Sequence, residues 1–255
     1  MSPRSRQSRG ASARSRGGGQ KRAKAVLLFG EHDHDRRAIK EIVEGLRQEF
    51  AASEPTPGDK RWREELNGDI QKRRQPLVLI KGVTPKELAS RRASLHAQVK
   101  ADRVRYDVQA VLVHEDCDAV EPAHEAVARR YEEAFREADF DVYPVLPAWE
   151  IEAWWLLWPD ALGAYRQSWR APVEHKGKHV GKIENAKQRL KRDVMPAGLK
   201  SAQRKKFPGY QESDSPGIAA FIRARGELSR PQGRSDSYEY FRASLVEDGS
   251  EAPST

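Results

Sequence analysis

A chain of 255 residues is long enough to bury a sizeable core, either as one large domain or as a domain with a smaller appendage. With 38% hydrophobic and 33% charged residues, and no apolar run near the roughly 18 to 20 residues of a membrane span, it reads as a non-membrane protein. The basic N-terminus has no apolar stretch before Ala25 and so does not read as a secretory signal, and a cytoplasmic location is expected. The single cysteine, Cys117, excludes an internal disulfide and a multi-cysteine zinc site, and fits a small buried hydrophobe. The net charge of +8 is carried by residues 1 to 24, which hold eight Lys or Arg and no acid; the remaining 38 basic residues match 38 acidic ones.

That first stretch, 1–23, is rich in Ser, Arg and Gly and is expected to be a disordered basic tail, suited to non-specific phosphate contacts or to a solubilising role. Ala25 to Gly30 reads as a first strand. Asp35 to Phe50 carries apolar residues at Ala38, Ile39, Ile42, Val43, Leu46 and Phe50, the spacing of an amphipathic helix. Ala51 to Arg74, with two prolines and two glycines, reads as a loop, and Pro76 to Lys81 as a second strand. Thr84-Pro85-Lys86-Glu87 is a capping box that opens a helix running to about Asp102. Asp107 to His114 is the third strand, Glu121 to Ala138 a helix, and Asp141 to Leu146 the fourth strand. A tryptophan-rich helix starts in Pro147 to Trp158. Beyond it no strand is evident, and helical patches fall near Lys182 to Val194 and Pro216 to Leu228.

The β-α alternation predicts an α/β fold: a mostly parallel, Rossmann-like four-stranded sheet flanked by helices, with a helical C-terminal extension. The divisions expected are a tail at 1–23, an α/β domain at 24–160, a helical extension at 161–248 and a disordered end at 249–255.

Two of the strands end in knots of acid, Gly30-Glu31-His32-Asp33-His34-Asp35 and His114-Glu115-Asp116-Cys117-Asp118. Open α/β sheets place ligands beyond the carboxyl ends of their strands. If the two tips are neighbours, Glu31, Asp116 and Asp118 converge, and their mutual repulsion calls for a cation; hard oxygen ligands suit Mg²⁺ or Mn²⁺.

A strand-end glutamate followed by Asp-x-Asp at a later strand tip resembles the Toprim domain of topoisomerases, primases and OLD-type nucleases. His32 stands where that family's Glu-Gly-x-x-Asp motif usually has glycine, while Asp35 keeps its place. The segment Pro147-Ala148-Trp149-Glu150-Ile151-Glu152-Ala153-Trp154-Trp155 is similar to the acid-aromatic segment of small bacterial OLD-like and RloB-like Toprim proteins. The resemblance spans roughly residues 24 to 160 and implies a metal-dependent nuclease hydrolysing phosphodiester bonds of DNA or RNA. It assigns Asp116 and Asp118 as metal ligands, Glu31 as a ligand or general acid/base, and Asp35 as a second ligand. Glu150 or Glu152 would complete a second metal position, and a later lysine among Lys176, Lys178 and Lys182 would assist. The resemblance also implies work in antiviral defence beside an ATPase partner.

Other readings stand beside these. Asp35 and Asp118 have the composition of helix caps, and Glu152 fits a partner for arginine or a backbone N–H. The tryptophans fit packing between sheet and extension better than base stacking. The acids would equally serve a non-catalytic nucleic-acid- or partner-binding module. His32-Asp33-His34 resembles the His-x-His of barrel amidohydrolases, which need eight strands where four are counted. A receiver-like domain would require a strand-end lysine that Val145-Leu146-Pro147 does not supply.

Overall fold

A computed structural model describes residues 22–52, 67–74, 77 and 80–246. The expected tail, apart from its last two residues, and the C-terminal end at 249–255 lie outside the described residues. The elements run β1 (Ala23–Phe29), α1 (Asp33–Ala51), β2 (Asp69–Lys72), α2 (Pro85–Asp102), β3 (Tyr106–His114), α3 (Ala123–Phe135) and β4 (Asp141–Val145). The helices α4 (Glu152–Trp155), α5 (Pro159–Tyr165), α6 (Ala186–Asp193), α7 (Ser201–Lys206), α8 (Ser215–Ala224) and α9 (Asp236–Val246) follow.

All four strands pair in parallel, in the order β2-β1-β3-β4, so the fold is the expected Rossmann-like α/β arrangement with a helical extension. The second strand differs from expectation. It is Asp69–Lys72, inside the segment read as a loop, and Ile70 is its one fully buried residue, because an edge strand of four residues needs little apolar surface. Of the stretch read as a strand, residues 76, 78 and 79 lie outside the described residues. Ile80 is buried in the core beside α2 and α3 and Lys81 lies in a turn, so the apolar side chain packs without joining the ladder.

Alternation along the strands divides two cores. Val26 and Leu28 of β1, with Ala110 and Leu112 of β3, face α1 and the C-terminal extension. Leu27, Phe29, Val111 and Val113 face α2 and α3. On the first face, Trp154, Trp155 and Trp158 are fully buried against Tyr210, Tyr238 and Phe241, so these tryptophans pack sheet to extension. Each indole N–H is satisfied inside, on Ser237, Ser215 and the Glu227 carbonyl respectively. The extension also grips α1: Arg223 pairs with Glu41 and Glu44, and Glu49 accepts the N–H groups of Leu228 and Ser229. A side chain at Gly45 would run into Leu228, so glycine there permits this close approach. None of the described helices is long and apolar enough to cross a membrane.

The chain leaves β1 toward β2 on one side and returns to β3 on the other. That reversal puts a topological switch point between the tips of β1 and β3, where sheets of this type leave a crevice.

Candidate metal centre

The switch point is where the acids gather. Phe29 is level with Val113, so the next residues, Gly30 and His114, leave the sheet side by side. A Cβ at Gly30 would lie 3.0 Å from that of His114, tight enough that glycine is what lets the imidazole enter. His114 is fully buried, and so is the adjoining face of α1, where Asp35 occupies the third helical position and is 8% exposed. His32 is the residue before that helix and makes no side-chain cap, so Asp35 is not a cap either; it points into the crevice region shared with His114 and Asp116.

Asp35, His114 and Asp116 each offer one ligand atom, and these atoms lie within 4.8 Å of one another, close enough to hold a metal ion. His114 Nε2 is 3.2 Å from Asp116 Oδ1, yet neither atom makes an aligned hydrogen bond. His114 Nδ1 is likewise buried without a partner. Buried polar atoms normally find partners, so the lone Nδ1 is an open coordination point beside the His114–Asp116 pair. Burial opposes charge on His114, but Asp116, Asp35 and Glu31 together outweigh it and hold the imidazole above its ordinary value. Asp35 is pushed up, chiefly by burial and then by Asp116, with His114 opposing. The site thus gathers negative charge that a cation would relieve.

Among the described residues two other groups of three have metal-like spacing, Glu121 with His179 and Asp236, and Glu174 with His175 and Asp193. Their central carboxylates are already occupied. Glu121 accepts from the Ser235 hydroxyl and from the backbone N–H of Asp236 and Ser237 at 2.6 to 2.9 Å. Asp193 bonds to His175, Arg189 and Arg192 at 2.5 to 3.0 Å.

The remaining sequence candidates distribute around the first trio. Glu31 stands beside it: one carboxylate oxygen is buried and unpartnered, and its charge acts on His114 and Lys81. Asp118 stands apart. The strand ends at His114, the chain turns, and Asp118 adopts φ 48° with its N–H on the Trp149 carbonyl at 2.9 Å. Its carboxylate is exposed and pairs with the Lys81 ammonium. Nor does it cap α3, whose first turn follows Pro122 without a side-chain cap. Cys117 between them is partly buried, and burial pushes its thiol up to about 12, as suits an inert packing residue.

Glu150 and Glu152 form a second group with Lys187 and Glu212. Glu150 accepts the Lys187 N–H at 2.6 Å and its ammonium at 3.2 Å, which also lies 3.1 Å from Glu212. Glu152 is buried, accepts the Tyr210 hydroxyl at 2.8 Å, and is pushed up to about 7 by burial and by Glu150. Tyr210 and Glu212 of this group lie within electrostatic reach of Asp35. Lys178 is exposed in the extension, where its carbonyl accepts from Arg234, and Lys176 pairs with Asp160. Lys182 is exposed as well.

Sequence reasoning missed His114, Lys81, Lys187 and Tyr210. His114 had one available signal, as a polar residue closing an apolar strand directly before the acidic knot. The lysines and Tyr210 reach the site from distant segments and had none. Glu115, in the same knot, serves the scaffold: it accepts the N–H groups of Ile80 and Lys81 at 3.3 and 2.5 Å and the Tyr131 hydroxyl at 2.6 Å, fixing the turn that carries Lys81.

Comparison of the chain with protein-family models, with characterised proteins and with solved structures gives no match, so the reading of this centre rests on its own geometry.

Proposed function

We propose that the chain is a Toprim-like, divalent-metal-dependent phosphodiester hydrolase, a nuclease, with its metal held by Asp35, His114 and Asp116. The observation that carries this reading is the meeting of one ligand atom each from Asp35, His114 and Asp116, within 4.8 Å of one another, at the switch point of a parallel sheet. One imidazole between two carboxylates suits Mn²⁺, with Mg²⁺ as the harder alternative. Asp35, His114 and Asp116 would hold a divalent ion, which would supply polarisation of a phosphoryl oxygen and a lowered pKa for bound water.

The chain's own residues supply the rest. Glu31, with a buried unpartnered oxygen, is placed to orient the attacking water and accept its proton. The Lys81 ammonium sits at the exposed rim, where a substrate phosphate can replace Asp118 as its partner. Glu150 accepts the Lys187 N–H at the start of α6 and Glu152 accepts the Tyr210 hydroxyl, which keeps Tyr210 and α6 in position.

The test is turnover of bis-p-nitrophenyl phosphate and of labelled DNA and RNA, with Mn²⁺ or Mg²⁺ added to metal-stripped protein. Metal at about 100 times its dissociation constant should stabilise the fold by about 2.7 kcal/mol. Asp116→Asn and His114→Gln should each lower turnover by about 100-fold while circular dichroism is unchanged. Full activity in Asp116→Asn would overturn the assignment. Metal-dependent stabilisation without turnover of any of these substrates would leave a binding module instead.

A further inference from the structure

Outside residues 1 to 24 the charges cancel in sum but not in space. Residues 166 to 206 contain thirteen Lys or Arg against three Asp or Glu. Some of these cations have structural partners, as Arg166 has in Asp214 and Lys187 in Glu150. A second group has none among the described residues. Lys191, Lys200, Lys205 and Lys206 are exposed and make no ion pair there, and Arg204 bonds only to the Leu199 carbonyl.

These residues share one feature of the fold. Beyond Val194, which is buried in the core, the chain runs through 195–200, forms α7, and packs back against the core at Phe207. Not one residue of α7 is buried. A six-residue helix without a packed face gains little from its own hydrogen bonds, and four cations within and beside it repel one another. Nothing in the hydrophobic core requires it to carry charge of one sign.

Both roots of this arm stand at the group formed by Glu150, Glu152 and Glu212. On the outgoing side, α6 begins beside Lys187, which contacts Glu150 and Glu212, and Lys191 lies one turn further along the same helix. On the returning side, Gly209 passes the Lys191 carbonyl, and the next residue, Tyr210, places its hydroxyl on Glu152. Glu212 is held below its usual range by Lys187, and it also lies within electrostatic reach of His32 and Lys191, so it spans the rim between the centre and the arm.

We infer that the arm formed by residues 194–209, with Lys191 at its root, is a nucleic-acid-binding element that holds the phosphate backbone of a polynucleotide and leads it to the metal centre. This deepens the hydrolase reading and rests on it for the direction of the strand. It names the substrate class as a polyanion longer than one diester, because cations spread along an arm can only be engaged by phosphates repeated along a chain. Recognition of this kind is independent of base sequence.

The test compares two charge-matched double variants of the full chain, Lys205→Glu with Lys206→Glu on the arm, and Arg130→Glu with Arg136→Glu at α3 on the opposite face of the sheet, where both arginines are exposed. Fluorescence anisotropy with a labelled 20-nucleotide single-stranded DNA, in EDTA so that no turnover occurs, reads affinity against salt. The arm variant should bind about tenfold more weakly near 0.1 M salt, and its salt slope should fall by about 0.7 for each phosphate that is no longer neutralised. The α3 variant should stay within about twofold of the unmodified protein. Equal losses in the two variants, or no loss in the arm variant, would overturn the proposal. Hydrolysis of bis-p-nitrophenyl phosphate by the arm variant should be unchanged. Absence of that hydrolysis in every protein, with arm-dependent binding intact, would remove the hydrolase reading and leave the binding element standing.

Discussion

Asp116 and Asp118 show how far apart two residues of one short motif can end. The Asp-x-Asp spacing puts both carboxylates on one side only while the chain is extended, and the strand stops at His114. Asp118 takes a left-handed turn and faces Lys81 at the rim, while Asp116 stays inside with His114. Different consequences follow for the two. Asp118→Asn should keep turnover of a small phosphodiester within about threefold, because an exposed ion pair contributes on the order of 1 kcal/mol or less. Lys81→Met should lower kcat/KM by about tenfold to 100-fold, a loss of about 1.4 to 2.7 kcal/mol in the transition state, with little change in melting temperature. Steady-state kinetics on both variants checks the pair, and an unaffected Lys81→Met would remove Lys81 from the site. Of the acids at the tips, Glu31 and Asp116 were legible as candidates because each closely follows an apolar run, and Asp35 because of its spacing from Glu31 at the mouth of a helix. His114 as a ligand was not, since a buried histidine closing a strand has the same sequence signature as a structural one.

Among the elements, the helix start at Thr84 and the one at Asp236 make a useful contrast. Thr84 and Glu87 exchange hydrogen bonds within four residues, so the start of α2 can be read directly from sequence. At α9 the carboxylate that receives the first N–H groups is Glu121, separated from Asp236 by 115 positions. The Ser235 hydroxyl also accepts the Tyr238 N–H at 3.3 Å, a local cap, but no local pattern announces the Glu121 contact, and the individual helix was not foreseen. A buried carboxylate with three donors is worth more than an exposed cap, so Glu121→Ala should cost about 3 kcal/mol, measured by urea unfolding. A loss under about 1 kcal/mol would mean that water replaces it. The same distinction explains β2. Its Asp-Ile-Gln-Lys sequence offers a single buried residue, and it becomes a strand because β1 presents an open edge to it.

At the scale of the whole molecule, burial and charge separation set the response to pH. Glu152 is pushed up to about 7 by its burial and by Glu150, although Lys187 and Tyr210 act in the other direction. A carboxyl whose folded pKa is raised contributes stability that is fully present below its unfolded value and lost as pH rises through the folded one. For Glu152 that window runs from about pH 4.5 to about 7. Glu152→Gln keeps an acceptor for Tyr210 and removes the charge, so its melting temperature should match the unmodified protein near pH 5 and exceed it by about 3 °C near pH 8. A difference that stays constant between those pH values would mean that Glu152 does not titrate in the folded protein. The molecule is also electrically divided, with an acidic crevice at the sheet tips and unpaired cations on the neighbouring arm.

The sequence alone determined the alternation of strands and helices, the parallel sheet, the α1 face that is buried, and the acidic ends of β1 and β3. These depend on periodicity and on neighbours within a few residues, which a linear chain displays. Tertiary structure decided which acids share a point, which lysines reach them, and that Ile80 packs while Ile70 pairs. Those outcomes depend on strand order, register and the packing of the extension, which bring Gly30 beside His114 and Tyr210 and Lys187 to Glu152, across separations in sequence that no local pattern encodes.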